Sequence, residues 1–357
     1  MLKRIVFMLA ALAVFAVILW MVTPTAEFPV TDRPYVDLHA HTAGIGAGDS
    51  SAFVGTELAE SIKFPFYLRA FEVTAEELER HGDVIVLERM AARVKASRNV
   101  GRAVVLAIDG VVDADGRLDR ERTQVYVPNE FLIRELPRFP ELVFGGSVNP
   151  YRPDAIDRLE EIHAAGAVLI KWIPNIMLID PADERIVPFY QRMAALGIPL
   201  LSHAGQERSF GAADDTLGDP RRLALPLSLG VTVIAAHIAT TGENGGESNF
   251  ERILPMFEKH ENLYVDISSL TQINKLDYLA RAMGVDGLTE RMVYGTDWPL
   301  QFFPLVSPFW HLDHIGIAKA KGVLAAENPW DRDVRLKQAF GVPESVFQRS
   351  AELLGLE

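Results

Sequence analysis

The chain contains no cysteine among its 357 residues. Disulfide bonds, thiolate ligands for a metal and a cysteine nucleophile are therefore excluded, and any metal site must use nitrogen and oxygen ligands. Positive charge is also scarce, because 35 lysine and arginine residues face 48 aspartate and glutamate residues, which gives a formal net charge of −13. An acidic chain of this kind argues against binding to nucleic acid or to an anionic membrane surface.

Internal repeats, low-complexity tracts and linkers are all missing from residues 27–357. Hydrophobic residues make up 49% of the chain, which is enough for a sizeable core. We therefore predict a single folded domain over residues 27–357, preceded by a separate segment at residues 1–26.

The longest apolar run lies in that N-terminal segment. Residues 5–22 are uninterrupted by charge and follow Lys3 and Arg4. Their length is near that of a helix crossing a bilayer, and the preceding positive charge favours a cytoplasmic N-terminus. A cleaved signal peptide is the alternative, but its apolar core is usually shorter, and Pro24 would take the −3 position of a cut after Ala26. We predict a transmembrane helix that anchors an extracytoplasmic domain, on the periplasmic side if the source is bacterial.

Eight short apolar runs alternate with helical patterns after residue 35. Pro153–Ile162 illustrates the helical pattern, because its apolar residues share one face. Apolar strands alternating with helices are typical of a parallel sheet covered by helices, and eight such units predict an α/β fold closed into a (β/α)₈ TIM barrel. The runs cover residues 35–39, 103–108, 142–148, 167–172, 198–203, 231–237, 263–267 and 292–297.

The connection between the first two runs, residues 42–101, is unusually long. An insertion after a barrel strand lies over the barrel mouth, so we expect a lid or a wall of the substrate pocket there.

Polar residues stand at the carboxyl ends of five of the runs. His39 and His41 share one face of the first run if it is a strand, because side chains alternate along a strand. The carboxyl ends of barrel strands converge on one mouth, where active sites form. Packing alone does not explain so many polar side chains, which are unfavourable to bury, at the same end of apolar strands. The set consists of His39, His41, Lys171, His203, His237 and Asp297.

This set resembles the amidohydrolase superfamily, and specifically its amidohydrolase-related branch of metal-dependent hydrolases. The order His-x-His, Lys, His, His, Asp follows strands one, four, five, six and eight of that family. The motifs are His39-x-His41, Lys171 in VLIKWIPN, His203 in PLLSHAG, His237 in VIAAHIA and Asp297 in YGTDWP.

The resemblance implies a divalent metal, for which zinc is favoured by the nitrogen and carboxylate ligands, although manganese, iron and cobalt remain open. With two ions, His39, His41 and Asp297 bind one, His203 and His237 bind the other, and a carboxylated Lys171 bridges them. With one ion, the ligands are His39, His41, His203 and Asp297. His237 is then left for catalysis, and Lys171 is a cation that binds substrate or a neighbouring carboxylate.

The resemblance also implies hydrolysis of an amide, ester or lactone bond in a small-molecule substrate. Water bound to zinc has a pKa near ~7, so hydroxide is available at neutral pH. Asp297 is placed to take the proton of this water and deliver it to the leaving group. The alternatives are a metal-dependent non-oxidative decarboxylase of the same superfamily and a metal-stabilised binding protein without turnover. The sequence does not determine the oligomeric state.

Overall fold

Eight parallel strands form the centre of the computed structural model, which describes residues 2–357. Each of the eight apolar runs overlaps one of them, so the predicted strands are confirmed. The strands are β1 (Tyr35–His41), β2 (Val100–Leu106), β3 (Leu142–Gly145), β4 (Ile170–Trp172), β5 (Leu200–Ser202), β6 (Val233–Ala235), β7 (Leu263–Asp266) and β8 (Met292–Val293).

The strands close into a ring. β1, β2 and β3 form one parallel sheet in chain order, and β4 to β8 form another. One seam is bridged by the pair Gly146 and Ile170, and the other by Ala40 and Trp298. The second seam also has a hydrogen bond of 3.2 Å from the Leu38 N–H to the Tyr294 carbonyl. The predicted (β/α)₈ barrel is therefore confirmed.

Helices such as α7 (Ala155–Ala164) cover the outside of the barrel with an apolar face. In this helix Leu159 and Ile162 are buried, whereas Ile156, which the pattern places on the buried face, is 37% exposed. The helices are α1 (Leu2–Val22), α2 (Thr56–Ala59), α3 (Phe64–Ala70), α4 (Ala75–His81), α5 (Val84–Lys95), α6 (Asn129–Glu135), α7 (Ala155–Ala164), α8 (Pro174–Met177), α9 (Val187–Leu196), α10 (Ala224–Ser228), α11 (Asn249–Ile253), α12 (Tyr278–Met283), α13 (Leu312–Leu324), α14 (Pro329–Ala339) and α15 (Glu344–Leu354). Two further pairs of short antiparallel strands join Phe53–Val54 to Val125–Tyr126 and Glu243–Asn244 to Glu247–Ser248.

A β-bulge interrupts β1 just before the histidines. Asp37 pairs with Ala103 and Ala40 pairs with Val105, so three steps along β1 match two steps along β2. An extra residue of this kind breaks the alternation of side chains and redirects those that follow it. Leu38 consequently packs in the apolar interior of the barrel, while the adjacent His39 lies in the pocket at its mouth.

The interior of the barrel below the pocket is apolar. Strand residues fill it, and the C-terminal helix α15 packs against the same cluster through Leu353 and Leu354. The end of the barrel opposite the histidines is therefore covered by the last helix, and the polar residues are confined to the mouth. The buried residues of the cluster are Val36, Leu38, Val104, Leu106, Leu201, Ile234 and Val293 from the strands, together with Leu169 and Ala236 next to β4 and β6.

The insertion after β1 contains helices α2 to α5 and is tied down by a buried carboxylate. Asp83 accepts hydrogen bonds from the N–H groups of Ile45 (3.0 Å) and Gly46 (2.9 Å) and from the Ser50 hydroxyl. Three donors on one fully buried side chain hold the glycine-rich loop in a fixed position beside the barrel mouth.

The N-terminal segment forms helix α1, whose last turn contacts α13. Lys321 Nζ donates hydrogen bonds to the carbonyl oxygens of Trp20 (3.1 Å) and Thr23 (2.6 Å), and the Trp20 ring centre lies 5.5 Å from that of Phe309. In the part of the chain that the structure describes, which leaves out Met1, no helix is long and apolar enough to cross a bilayer. The predicted transmembrane anchor in residues 1–26 is therefore not supported.

Candidate metal centre

Three of the predicted ligands meet at one point above the barrel. His39 Nε2 lies 3.2 Å from His41 Nε2 and 3.4 Å from Asp297 Oδ1, and His41 Nε2 lies 3.3 Å from the same oxygen. Ligands at the usual 2.0–2.1 Å from zinc in tetrahedral geometry lie about 3.3–3.4 Å from one another. The three atoms thus form a triangle of the size expected for one face of a tetrahedral site. These residues fit a divalent ion.

His39 is oriented from the side away from this triangle. Its Nδ1 lies 2.7 Å from Asp266 Oδ2, and both side chains are fully buried. Burial, aided by the neighbouring Lys171, lowers the pKa of His39 to about 4, so its imidazole is neutral at pH 7. A neutral ring that donates from Nδ1 to Asp266 keeps the Nε2 lone pair free for a cation, as is usual for histidine ligands.

Asp297 is held in the left-handed region of the backbone, with φ of 65°. Its N–H donates to the His39 carbonyl (2.8 Å), and Ser269 donates its hydroxyl to Oδ2 (2.5 Å), which leaves Oδ1 facing the histidines. Burial acts to raise the pKa of Asp297, but the adjacent His237 and His41 hold that pKa well below its usual range. The residue is therefore a carboxylate that can bind a cation.

A second buried carboxylate supports the same corner from outside the pocket. Asp37 accepts hydrogen bonds from the His39 N–H (3.1 Å), the Thr296 N–H (2.9 Å) and the Trp330 indole (2.8 Å). It thereby links the backbone that carries His39 to the backbone that carries Asp297, two segments far apart in the sequence.

Lys171 reaches the centre from β4. Its Nζ lies 2.9 Å from His39 Nε2, and burial lowers the pKa of Lys171 to about 8. The amine therefore contacts a proposed ligand atom directly.

His203 and His237 lie beside the triangle rather than in it. The ring centre of His237 is 5.2 Å from that of His39 and 5.3 Å from that of His203. His237 Nδ1 lies 2.8 Å from the hydroxyl and 3.2 Å from the carbonyl of Ser268. His203 Nε2 is buried and has no hydrogen-bond partner in residues 2–357. An unpartnered nitrogen of this kind is costly unless a ligand or ion meets it.

All six predicted residues line a single cavity of about 1130 Å³, part of which is open to solvent. Its upper walls come from the insertion after β1 and from the loop after β5, as expected for an insertion over the barrel mouth. The predicted ligands form the floor, while the upper walls are mostly apolar. The apolar residues include Val54, Leu58, Phe64, Tyr67, Leu68, Phe71, Ile173, Phe210 and Leu300.

Sequence reasoning missed several residues of this site. Asp266 is the last residue of β7 and lies within the seventh apolar run, so it carries the same signal as the six predicted residues: a polar side chain at the carboxyl end of a buried strand. Glu207 and Lys275 follow strand ends within loops, where no periodicity marks them. Glu207 Oε2 lies 3.6 Å from His203 Nδ1, and Lys275 lines the cavity.

Solved structures share the fold at low sequence identity. An uncharacterized TIM-barrel protein from Bordetella bronchiseptica is 15% identical, with 90% of this chain and 100% of that chain covered and a TM-score of 0.53. A protein named as a candidate 2-pyrone-4,6-dicarboxylic acid hydrolase from Pseudomonas putida is 16% identical, with 92% and 99% covered and a TM-score of 0.52. Likeness at this level concerns the fold alone.

Of the two sequence comparisons, one identifies a family and the other finds no match. No curated protein matches the chain. A family model described as amidohydrolase matches residues 36–327, which include every predicted site residue. The expected membership in the amidohydrolase-related branch is confirmed, and the protein belongs to the amidohydrolase family.

Proposed function

We propose that the protein is a metal-dependent hydrolase that cleaves an amide, ester or lactone bond in a small molecule. The observation that carries this proposal is the triangle of His39 Nε2, His41 Nε2 and Asp297 Oδ1, with edges of 3.2–3.4 Å, at the floor of a deep cavity. Family membership suggests a metal-dependent enzyme, and the reaction itself is our proposal.

We infer a single ion, and zinc is the metal that these ligands favour. His39, His41 and Asp297 would hold it, and His203 offers its unpartnered Nε2 as a further ligand. This set is complete for one ion without Lys171, so we infer that the lysine is unmodified. When bound, the ion would acidify water and polarise a substrate carbonyl.

Proton transfer in this proposal belongs to Asp297 and His237. Asp297 is ionised and can accept a proton from the attacking water. Burial lowers the pKa of His237 well below its usual value, so its ring is neutral. A proton on Nδ1 donated to the Ser268 carbonyl leaves Nε2 as an acceptor that can position water or a substrate hydroxyl.

Metal content tests the ligand assignment. We expect elemental analysis of the purified protein to find about one equivalent of a zinc-like ion, and His41→Ala to lose it. His163→Ala is the matched control, because His163 is exposed on α7, outside the pocket. Full metal content in His41→Ala would contradict the assignment. A metal content of two equivalents in wild type that falls to one in Lys171→Met would contradict the single ion and indicate a bridged pair of ions.

Activity tests the reaction class. We expect acid release from a panel of p-nitrophenyl esters, lactones and aryl amides, followed by pH-stat and absorbance, and loss of that activity in His41→Ala. Release of carbon dioxide from aromatic carboxylates without hydrolysis would instead indicate the decarboxylase. Metal retention without turnover of any panel member would indicate a binding protein.

A further inference from the structure

A lysine that the proposed chemistry does not use lies in the wall of the cavity. Lys275 ends the 3₁₀ turn Ile273–Lys275 that follows β7, and it is 8% exposed. The turn is fixed by hydrogen bonds from the Lys275 N–H to the Gln272 carbonyl (2.9 Å) and from the Ile273 N–H to the Leu305 carbonyl (2.9 Å). The side chain therefore starts from a defined backbone position.

The ammonium of Lys275 lacks a polar partner within residues 2–357, since no hydrogen bond or ion pair joins its Nζ to a described atom. The other cationic side chains of the cavity each have a polar contact. Lys171 contacts His39, and the Arg208 guanidinium donates to Gln206 Oε1 at 2.8 and 3.0 Å. Lys275 Nζ is not among the fully buried side-chain atoms that lack a partner, so the amine reaches the open space of the cavity.

Burial lowers the pKa of Lys275, while the carboxylates of Asp297 and Glu207 act to raise it. Glu207 does not neutralise the lysine by contact, because its Oε1 accepts the Ser209 N–H at 2.5 Å and its Oε2 lies beside His203. The cavity thus presents one unsatisfied positive charge near the triangle of proposed metal ligands.

The remaining walls favour an apolar ligand body. The upper part of the cavity is lined by apolar side chains, namely Phe64, Leu68, Phe71 and Phe210. Contact between such side chains and an apolar ligand removes apolar surface from water and stabilises the complex. A ligand that satisfies both features has one negatively charged group and an otherwise apolar body.

We propose that Lys275 anchors a carboxylate of the substrate, and that the substrate class is an amide, ester or lactone bearing one carboxylate on an apolar body. This inference rests on the proposed function for the cleaved bond, but the binding of the carboxylate by Lys275 can be measured without turnover.

The binding test compares hexanoate with its neutral counterpart hexanamide by isothermal titration calorimetry on the metal-loaded protein. We expect wild type to prefer hexanoate by at least about tenfold, as for a hydrogen bond between charged groups. Lys275→Met, which keeps the length of the side chain but removes its charge, should lose the preference, and Lys275→Arg should retain most of it. Lys259→Met, at an exposed lysine beyond α11, is the matched control.

The outcomes separate this inference from the proposed function. Equal binding of the two ligands to wild type, or a preference that persists in Lys275→Met, would overturn the role of Lys275. A preference that is lost in His41→Ala and retained in Lys275→Met would assign the carboxylate to the metal instead and would equally overturn it. If the preference for hexanoate depends on Lys275 but no ester, lactone or amide is cleaved, the result would contradict the proposed hydrolysis and support the anion site at Lys275.

Discussion

At the scale of single residues, the site depends on contacts between side chains that are distant in sequence. Asp266 accepts hydrogen bonds from His39 Nδ1 at 2.7 Å and from the backbone N–H of His237 at 2.9 Å, so one carboxylate orients the His39 ring and fixes the backbone of His237. Burial acts to raise the pKa of Asp266, but the adjacent His39 holds that pKa below its usual range. The carboxylate is therefore charged and stabilises the tautomer of His39 that leaves Nε2 free.

Replacing Asp266 by Asn should weaken metal binding. The amide keeps the shape of the side chain but loses the negative charge, and loss of such a supporting carboxylate typically costs about 10–100-fold in metal affinity. Competition with a chromophoric chelator would measure the change. Asp286→Asn, at an exposed position after α12, is the control, and equal affinities in the two variants would show that Asp266 does not tune the ligand.

The sequence allowed six polar residues at strand ends to be predicted, and the structure brings all six to one cavity. Asp266 carries the same strand-end signal, but its role depends on a contact with His39, 227 positions away, which the sequence does not show. Lys275 carries no such signal, since what makes it unusual is the absence of a neighbour, which only three-dimensional packing reveals. The ligand roles of the six residues stay predictions.

At the scale of elements, periodicity predicted the eight strands but not their irregularities. Alternation along β1 places His39 and His41 on one face, and both do line the cavity. The same rule places Leu38 on the opposite face, whereas the bulge between Asp37 and Ala40 brings it to the barrel interior. Nothing in the local sequence indicates an extra residue, because a bulge is a property of the pair of strands.

The glycine-rich loop of the insertion should depend on Asp83. In Asp83→Asn, the amide nitrogen must face a backbone N–H or the Ser50 hydroxyl, so at least one favourable contact is lost. We expect the free energy of unfolding to fall by about 1–3 kcal/mol in urea denaturation, with faster hydrogen exchange at residues 44–50.

Asp49→Asn provides the comparison for this prediction, because Asp49 lies in the same loop but is exposed. If the two variants were equally stable, the loop would not be held by the buried carboxylate.

At the scale of the whole molecule, the upper part of the cavity joins two separate segments of the chain. The Tyr67 hydroxyl, from the insertion, donates to the Ser209 carbonyl at 2.8 Å, and Lys63 Nζ donates to the Arg208 carbonyl at 2.9 Å. The segment after β1 and the loop after β5 thus contact each other over the proposed metal ligands.

Removing the Tyr67 hydroxyl should loosen this contact without disturbing the floor of the cavity. In Tyr67→Phe we expect KM to rise by up to about tenfold, as for loss of one hydrogen bond, with kcat nearly unchanged and faster hydrogen exchange at residues 206–211. Steady-state kinetics on the ester or lactone that wild type cleaves most efficiently measures KM and kcat.

Tyr264→Phe is the matched control, because the hydroxyl of this half-buried tyrosine makes no hydrogen bond to any atom of residues 2–357. A fall in kcat with unchanged KM in Tyr67→Phe would show that the contact serves the chemical step rather than the pocket wall.

The contact between Tyr67 and Ser209 has a consequence for how relatives of this protein can diverge. The proposed metal ligands come from the ends of barrel strands, while the upper walls of the cavity come from two connections whose contacts end on backbone carbonyls. A substitution at Ser209 or Arg208 keeps the acceptor, whereas a substitution at Tyr67 or Lys63 removes the donor. The side chains of the loop after β5 are therefore free to vary without loss of these contacts, whereas Tyr67 and Lys63 are not.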